Sequence, residues 1–540
     1  MNGLLVRNAN IITMNQKQPH AIAMVVEEDK IISVGDGRNL EHYAAKGLDV
    51  LNCRGYTILP GLIDSHLHLM WMGRNLLCPP LNLGGIDSIG KIADIIKDEV
   101  EISAPGQWII AVKLDEDHLV EQRSLNRHDL DKVSPDNPVV VRKAIEHSLV
   151  ANTAALEKAG INKDTAEPAG GHIEKDSEGS PTGALFENAM KLLEKAIPRL
   201  TPLEEREALA LAVKQLCSLG FTSVVSNDDF PVLTEPLRLL EDLDALAGEQ
   251  GWALRLAFEP DISRLDQLIE QREQLKSYRF GKIGPLKIFA DGALFTRSAA
   301  LEEDYADEPG NRGIETISKQ ELEELVARAH ENGFSVAVHA IGDRAVNNAI
   351  GAIEKAQQKH PRNDLRHRII HCSMIDEANL GKMNRFGIIA DIQPTFFINE
   401  WQWVPQRIGS NRVKKAYLGR SFLDNGVNVI AGSDAPSEPA DPFRSIYGAV
   451  KRQDVSGKPE GGWKPEERLD VKDILQAYTR AGAYATFEEG LKGSLEPGKL
   501  ADFIVVNKNP LEINPEELLD IECLMTVIGG KIAWRSEKVS

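Results

Sequence analysis

Cysteine is scarce in this chain: five residues in 540, Cys53, Cys78, Cys217, Cys372 and Cys523, odd in number, widely spaced and without a CxxC pair. That excludes a disulfide framework and a thiolate zinc site, and leaves reduced, mostly buried thiols. Long apolar runs are also missing. No stretch of eighteen apolar residues occurs, so no membrane span is expected. Arg7 and Asn8 interrupt anything like a signal-peptide core in MNGLLVRNANIITMNQ, and cytoplasmic residence is the expectation. Positive charge is short as well: 62 Lys and Arg against 81 Asp and Glu leave a formal net charge of −19. Nucleic acid and anionic membrane both require a basic face that releases counterions, so neither is expected as a partner and a small molecule is.

What is present is enough sequence for two or three domains. Both ends read as short strands and turns. LLVRNANIIT, AIAMVVEEDKIISVG and LDVLNCRGYTILP stand at one end, GSLEPGKLADFIVV and CLMTVIGGKIAWR at the other. This pattern predicts one small β-sandwich domain assembled from 1–58 and 488–540. The middle alternates buried-type strands with amphipathic helical stretches, as a parallel α/β architecture does. Eight such strands, in GLIDSHLHL, FTSVVSN, WALRLAFE, PLKIFADGA, FSVAVHAIG, RIIHCSMI, GIIADIQPTF and NVIAGSDAP, suit a (β/α)8 TIM barrel over 59–72 and 206–487. Residues 73–205, with one strong strand in PVVVRKAIEHSLVAN (138–152), would make a ninth unit. They are read as a subdomain inserted after barrel strand one, over the active-site mouth.

The first strand carries His66 and His68 around Leu67. Side chains alternate faces along a strand, so both imidazoles project the same way and can grip one ion. With 13 histidines in 540 residues, roughly 0.3 such pairs arise by chance, so the pair needs partners. Lys287, His339 and His371 lie at later strand ends, and Asp434 follows in VIAGSDAP; in a barrel such positions converge on one mouth. Taken singly, His339 and His371 also suit core histidines, Lys287 an ion pair with Asp291, and Asp434 a cap before Ala435-Pro436. Cys372, the strand neighbour of His371, should face the core.

The order HxH, Lys, His, His, Asp resembles the amidohydrolase superfamily. The phrases LPGLIDSHLHL, EHSLVAN, GSPTGALFENA, LKIFADGAL, DEPGNRG, VAVHAIGDRAV, AGSDAP and GSLEPGKLADFIVV are similar to its amidohydrolase-3 (YtcJ-like) branch. The resemblance implies His66, His68, Lys287, His339, His371 and Asp434 as metal ligands, with Lys287 carboxylated on its amine and bridging two ions. It implies a divalent metal, Zn2+ first, with Mn2+ or Fe2+ as alternatives, in one or two copies. It also places His147 near the substrate, although Ile145-Glu146 stands where the family usually has an aspartate–glycine pair. Glu187, Asp343 and Arg344 are read as orienting substrate or ligands, or as a salt-bridged rim.

Imidazole and carboxylate donors suit such ions, which activate water for hydrolysis, and a base must take and return the proton. Asp434 fits that shuttle. The expected reaction is hydrolysis of a non-peptide C–N bond of a small molecule. A deaminase on the same barrel would carry a glutamate three residues after the strand-five histidine, where this chain has Gly342, and a non-catalytic scaffold would have lost ligands. A homodimer is the default assembly.

Overall fold

The computed structural model describes residues 3–36, 40, 43, 47–143, 147–228, 237–272 and 278–539. All eight apolar stretches form strands: β1 (Leu62–Leu67), β2 (Phe221–Ser226), β3 (Arg255–Phe258), β4 (Leu286–Phe289), β5 (Val336–Ala340), β6 (Arg368–His371), β7 (Ile389–Ile392) and β8 (Val429–Ala431). Every residue of β1, β2, β5, β6, β7 and β8 is buried, as strands covered on both faces require. Helices cover them from outside. Lys319–Glu331 starts where the Ser318 hydroxyl accepts the Glu321 N–H and buries Leu322, Val326 and Ala329. Asp343–Lys359 packs beside it and buries Val346, Ala349, Ile350 and Ile353.

The strands pair in parallel as two arcs, β1–β2–β3 and β4–β5–β6–β7–β8. The fourth segment serves both. Its leading part, Gly281–Ile283, pairs with β3, and after Gly284-Pro285 the chain resumes as β4 beside β5. The Lys287 N–H donates to the Pro260 carbonyl on this side. At the opposite seam Asp434 N–H donates to His66 O and His68 N–H to Ala435 O, both at 2.8 Å. Gly432 permits that approach: a Cβ there would lie 2.6 Å from the His66 nitrogen. The architecture is of TIM-barrel type.

The region between β1 and β2 departs from the expectation. The single strand expected over 138–152 is two antiparallel strands, Val139–Lys143 and Ser148–Ala151, with Val140 opposite Ala151; residues 144–146 lie outside the described residues. Fifteen residues exceed an ordinary strand of about five or six, which favours a chain reversal. These two strands belong to a six-stranded mixed sheet with Gly171–Lys175, Pro181–Glu187, Ile109–Leu114 and Leu81–Asn82. Separate apolar clusters, one around Ile92, Leu114 and Val141 and one around Leu149, Leu156 and Leu193, pack the sheet.

The two chain ends share a sheet. Thr57–Pro60 pairs antiparallel with Phe503–Val506, which continues into Cys523–Ile528 and Lys531–Arg535. A second sheet of Gly3–Arg7, Ala23–Glu27, Lys30–Gly35 and Asp49–Asn52 faces it across Val6, Met24, Ile31, Ile58 and Phe503. Among the described residues no helix is long and apolar enough to cross a membrane.

Candidate functional site

β1 ends at Leu67, and the helix Leu69–Leu77 begins directly afterwards, so His66 and His68 stand at a strand-to-helix junction with ring centroids 5.3 Å apart. Leu67 is fully buried between them. The Nε2 atoms of both imidazoles lie 3.4 Å from Asp434 Oδ1. Asp434 follows β8 with φ 59°, a left-handed conformation uncommon for a residue with a side chain and a frequent mark of functional positions. His371, at the end of β6, has φ 69°. Its ring is 5.8 Å from that of His66 and 4.6 Å from that of His339 on β5. Lys287 on β4 closes the group, with Nζ 3.2 Å from His66 Nε2 and fully buried.

Three of the imidazoles have one nitrogen hydrogen-bonded to the protein behind them. His68 Nδ1 meets the Asn227 carbonyl at 2.6 Å, His371 Nδ1 the Gln393 amide oxygen at 2.8 Å, and His339 Nε2 the Gly292 carbonyl at 3.3 Å. His66 Nδ1 faces Glu259 Oε2 at 3.4 Å. Such anchoring fixes ring orientation and tautomer. His66, His68 and Asp434 thereby offer ligand atoms all within 4.8 Å of one another. Two donors each about 2.1 Å from a tetrahedral ion stand about 3.4 Å apart, so the donor set fits a divalent metal.

Burial lowers the pKa of His66 and His339 well below the ordinary range and that of His371 to about 4, leaving their rings neutral. Burial also disfavours charge on His68, but the adjoining Asp434 carboxylate outweighs it and raises the pKa; the same contact, against burial, lowers that of Asp434. Lys287 is brought down to about 7 by burial, so a neutral amine is accessible near neutrality.

Sequence reasoning missed what lies behind these side chains. Arg368, fully buried in β6, pairs with Glu259 and lies 3.3 Å from Asp391, whose other oxygen accepts the Ser65 hydroxyl at 2.5 Å. Asp64 accepts the His66 and Ser433 amides. The available signal was a charged residue inside or just after a mostly apolar strand: Asp64, Glu259, Arg368, Asp391. Asp291 is also such a support, since it accepts the Ala300, Ile341 and Gly342 amides and is not the partner of Lys287. Cys372 is 1% exposed and its thiol is pushed well up by burial, which suits a core residue.

The cavity that His66, His68, Lys287, His339, His371 and Asp434 line holds about 440 Å³, a small-molecule size. Its walls include His147 and Glu187 from the region between β1 and β2. His147 Nδ1 meets Glu187 Oε2 at 2.9 Å, and its ring lies 5.1 Å from that of His339. Glu187 in turn accepts the Ser298 hydroxyl at 2.5 Å, over Gly292, where a Cβ would strike the carboxylate. Ile145-Glu146 lies outside the described residues. Asp343 and Arg344 do not line the cavity. Asp343 accepts the Glu302 amide, and Arg344 donates to the Arg312 carbonyl.

Residues 49–533 match the amidohydrolase family. The chain belongs to that family. It is 34% identical to YtcJ of Bacillus subtilis over 97% of this chain and 98% of that one. It is 29% identical to the N-substituted formamide deformylase of Arthrobacter pascens over 99% and 98%. A crystal structure of an uncharacterized metal-dependent hydrolase from Pyrococcus horikoshii superposes with a TM-score of 0.75 at 26% identity, over 95% of this chain and 99% of that one. The protein is an amidohydrolase, a hydrolase of C–N bonds.

Proposed function

We propose that this amidohydrolase cleaves a non-peptide amide bond of a small molecule with one or two divalent ions, Zn2+ first, held by His66, His68, His339, His371, Asp434 and Lys287. The observation that carries the reading is the convergence of the His66 and His68 Nε2 atoms on Asp434 in the cavity that His339, His371 and Lys287 also line. The ions would supply activated water and polarise the scissile carbonyl. Asp434, ionised beside His68, takes the water's proton and returns it to the departing nitrogen. Lys287, whose amine is neutral at about pH 7, is suited to capture CO2 as a carbamate and so to become an anionic ligand between the two groups of donors. His147, steadied by Glu187, faces the substrate.

The reading includes closure of the eight strands as a (β/α)8 barrel over 59–72 and 206–487, a sandwich domain of 1–58 with 488–540, and an inserted subdomain over 73–205. Deamination is disfavoured at Gly342, where a Cβ would lie 2.1 Å from the Ala300 carbonyl oxygen and no glutamate fits. The deformylase relative makes N-substituted formamides the first substrates to try. Metal analysis and a hydrolysis screen on the purified protein and on His66→Ala test the reading. Stoichiometric divalent metal and turnover are expected in the first and neither in the second; a metal-free parent protein would sink it.

A further inference from the structure

His147 lies in the region between β1 and β2, whereas the donors around Asp434 stand on the eight strands or just after them. One hydrogen-bonded chain joins the two. After β4 the backbone folds back on itself: Asp291 accepts the Ala300 amide at 2.9 Å, and the Ser298 and Ala299 amides both donate to the Ala293 carbonyl at 3.0 Å. Ser298, 1% exposed, is held by this closed loop, and its hydroxyl oxygen accepts the Ala293 amide at 3.1 Å. The shortest bond that the hydroxyl makes as a donor goes to Glu187 Oε1 at 2.5 Å. Glu187 Oε2 meets His147 Nδ1 at 2.9 Å.

Two features show that this contact is built into the fold. Glu187, the last residue of the strand Pro181–Glu187, has φ 50°, a left-handed conformation that a residue with a side chain rarely adopts. Gly292 leaves room for the bond, since a Cβ there would lie 2.0 Å from Glu187 Oε1 and 2.2 Å from Ser298 Oγ. The same loop reaches His339, whose Nε2 stands 3.3 Å from the Gly292 carbonyl. Among the described residues the His147 ring has no hydrogen-bond partner besides Glu187, so its direction depends on that anchor.

Resting on the reading that His147 faces the substrate, and extending it, we infer that Ser298 is a positioning residue: through Glu187 it registers His147 against the strand-borne donors around Asp434. Ser298 does not line the cavity of the site, so its effect on the reaction is carried by the carboxylate. A ring misplaced by about 1 Å loses alignment with the reacting amide while the donors for the metal stay where they are.

The test compares the Zn2+-supplied parent protein with Ser298→Ala and Glu187→Gln, by kinetics on N-butylformamide and by crystallography. Ser298→Ala should lower kcat roughly 10–100-fold with KM and bound metal little changed, and should show the His147 ring displaced. Glu187→Gln keeps the shape of the side chain, should lower kcat in the same way, and decides the matter if Ser298→Ala fails to fold. Asp117→Asn loosens another contact of the region between β1 and β2, the ion pair with Arg407, and should leave kcat unchanged. Unchanged kcat in the folded Ser298 or Glu187 variant, a loss of kcat with the His147 ring unmoved, or an equal loss in Asp117→Asn would overturn the inference. If the parent protein leaves N-butylformamide intact, the amide reading fails and the crystal structures alone decide: a displaced His147 ring upholds the positioning and an unmoved one refutes it.

Discussion

Among the described residues two clusters of buried histidine occur, and they differ in where the ring nitrogens go. In the pair His330–His367 the Val336 N–H donates to His367 Nδ1 at 3.1 Å, His367 Nε2 meets His330 Nδ1 at 2.9 Å, and His330 Nε2 meets the His360 carbonyl at 2.7 Å. The backbone donor at one end and the acceptor at the other settle both tautomers and occupy all four nitrogens. In the cavity, His68, His339 and His371 are each hydrogen-bonded to the protein at one nitrogen, and the Nε2 atoms of His66 and His68 converge on Asp434. Burial and clustering are common to both groups. A chain of satisfied bonds holds a structure together, whereas a ring of half-satisfied donors around an open cavity can hold something else.

The contrast can be broken in several ways. The largest effect is expected from His66→Ala or His68→Ala, each of which should lower kcat/KM by several orders of magnitude and deplete bound metal. His330→Phe should leave metal content intact, and loss of metal there would erase the distinction. Arg368→Met would strand Glu259 as a buried charge and should cost about 3–5 kcal/mol in urea denaturation. Gln393→Ala frees His371 Nδ1 and should weaken metal binding by roughly 10–100-fold, measured by competition with a chelator, while changing stability little.

The smallest effect sharpens the comparison from the other side. Burial, then His330, lowers the His367 pKa from 6.5 to about 3, so between those values the unfolded chain binds a proton that the folded one refuses. The stability this group contributes is complete above pH 6.5 and is lost as pH falls toward 3, at about 1.4 kcal/mol per pH unit at most. Denaturation of His367→Phe across that window should show a shallower slope than the parent. An unchanged slope would show that the pair does not govern acid stability.

Much of the fold and of the site is legible in the order of residues alone. The eight strands stand out because each is a short apolar run covered on both faces, which leaves no polar alternation to confuse the pattern. The candidate site residues are legible because, although each taken singly suits a structural role, histidine, lysine and aspartate recur together at the ends of such runs. Less can be read between β1 and β2, where short strands such as Leu81–Asn82 have too few residues for periodicity and where a chain reversal hides in one long run. The supports of the site are hidden for another reason. Glu259, Arg368 and Asp391 stand far apart in sequence, and only packing shows that they neutralise one another behind His66.

The sheet shared by the two chain ends bears on how the protein is made. Thr57–Pro60 is translated early, but its partner Phe503–Val506 emerges only after the whole catalytic region has been synthesised. Until then the early strand offers an unpaired edge, and Arg255 waits for Asp502, 247 residues later, at 2.6 Å in the finished fold. A pairing of such high sequence separation forms slowly. The growing chain is therefore exposed to aggregation for most of its synthesis, and truncations that remove the last strands should fail in the cell even though His66, His68, Lys287, His339, His371 and Asp434 are all retained.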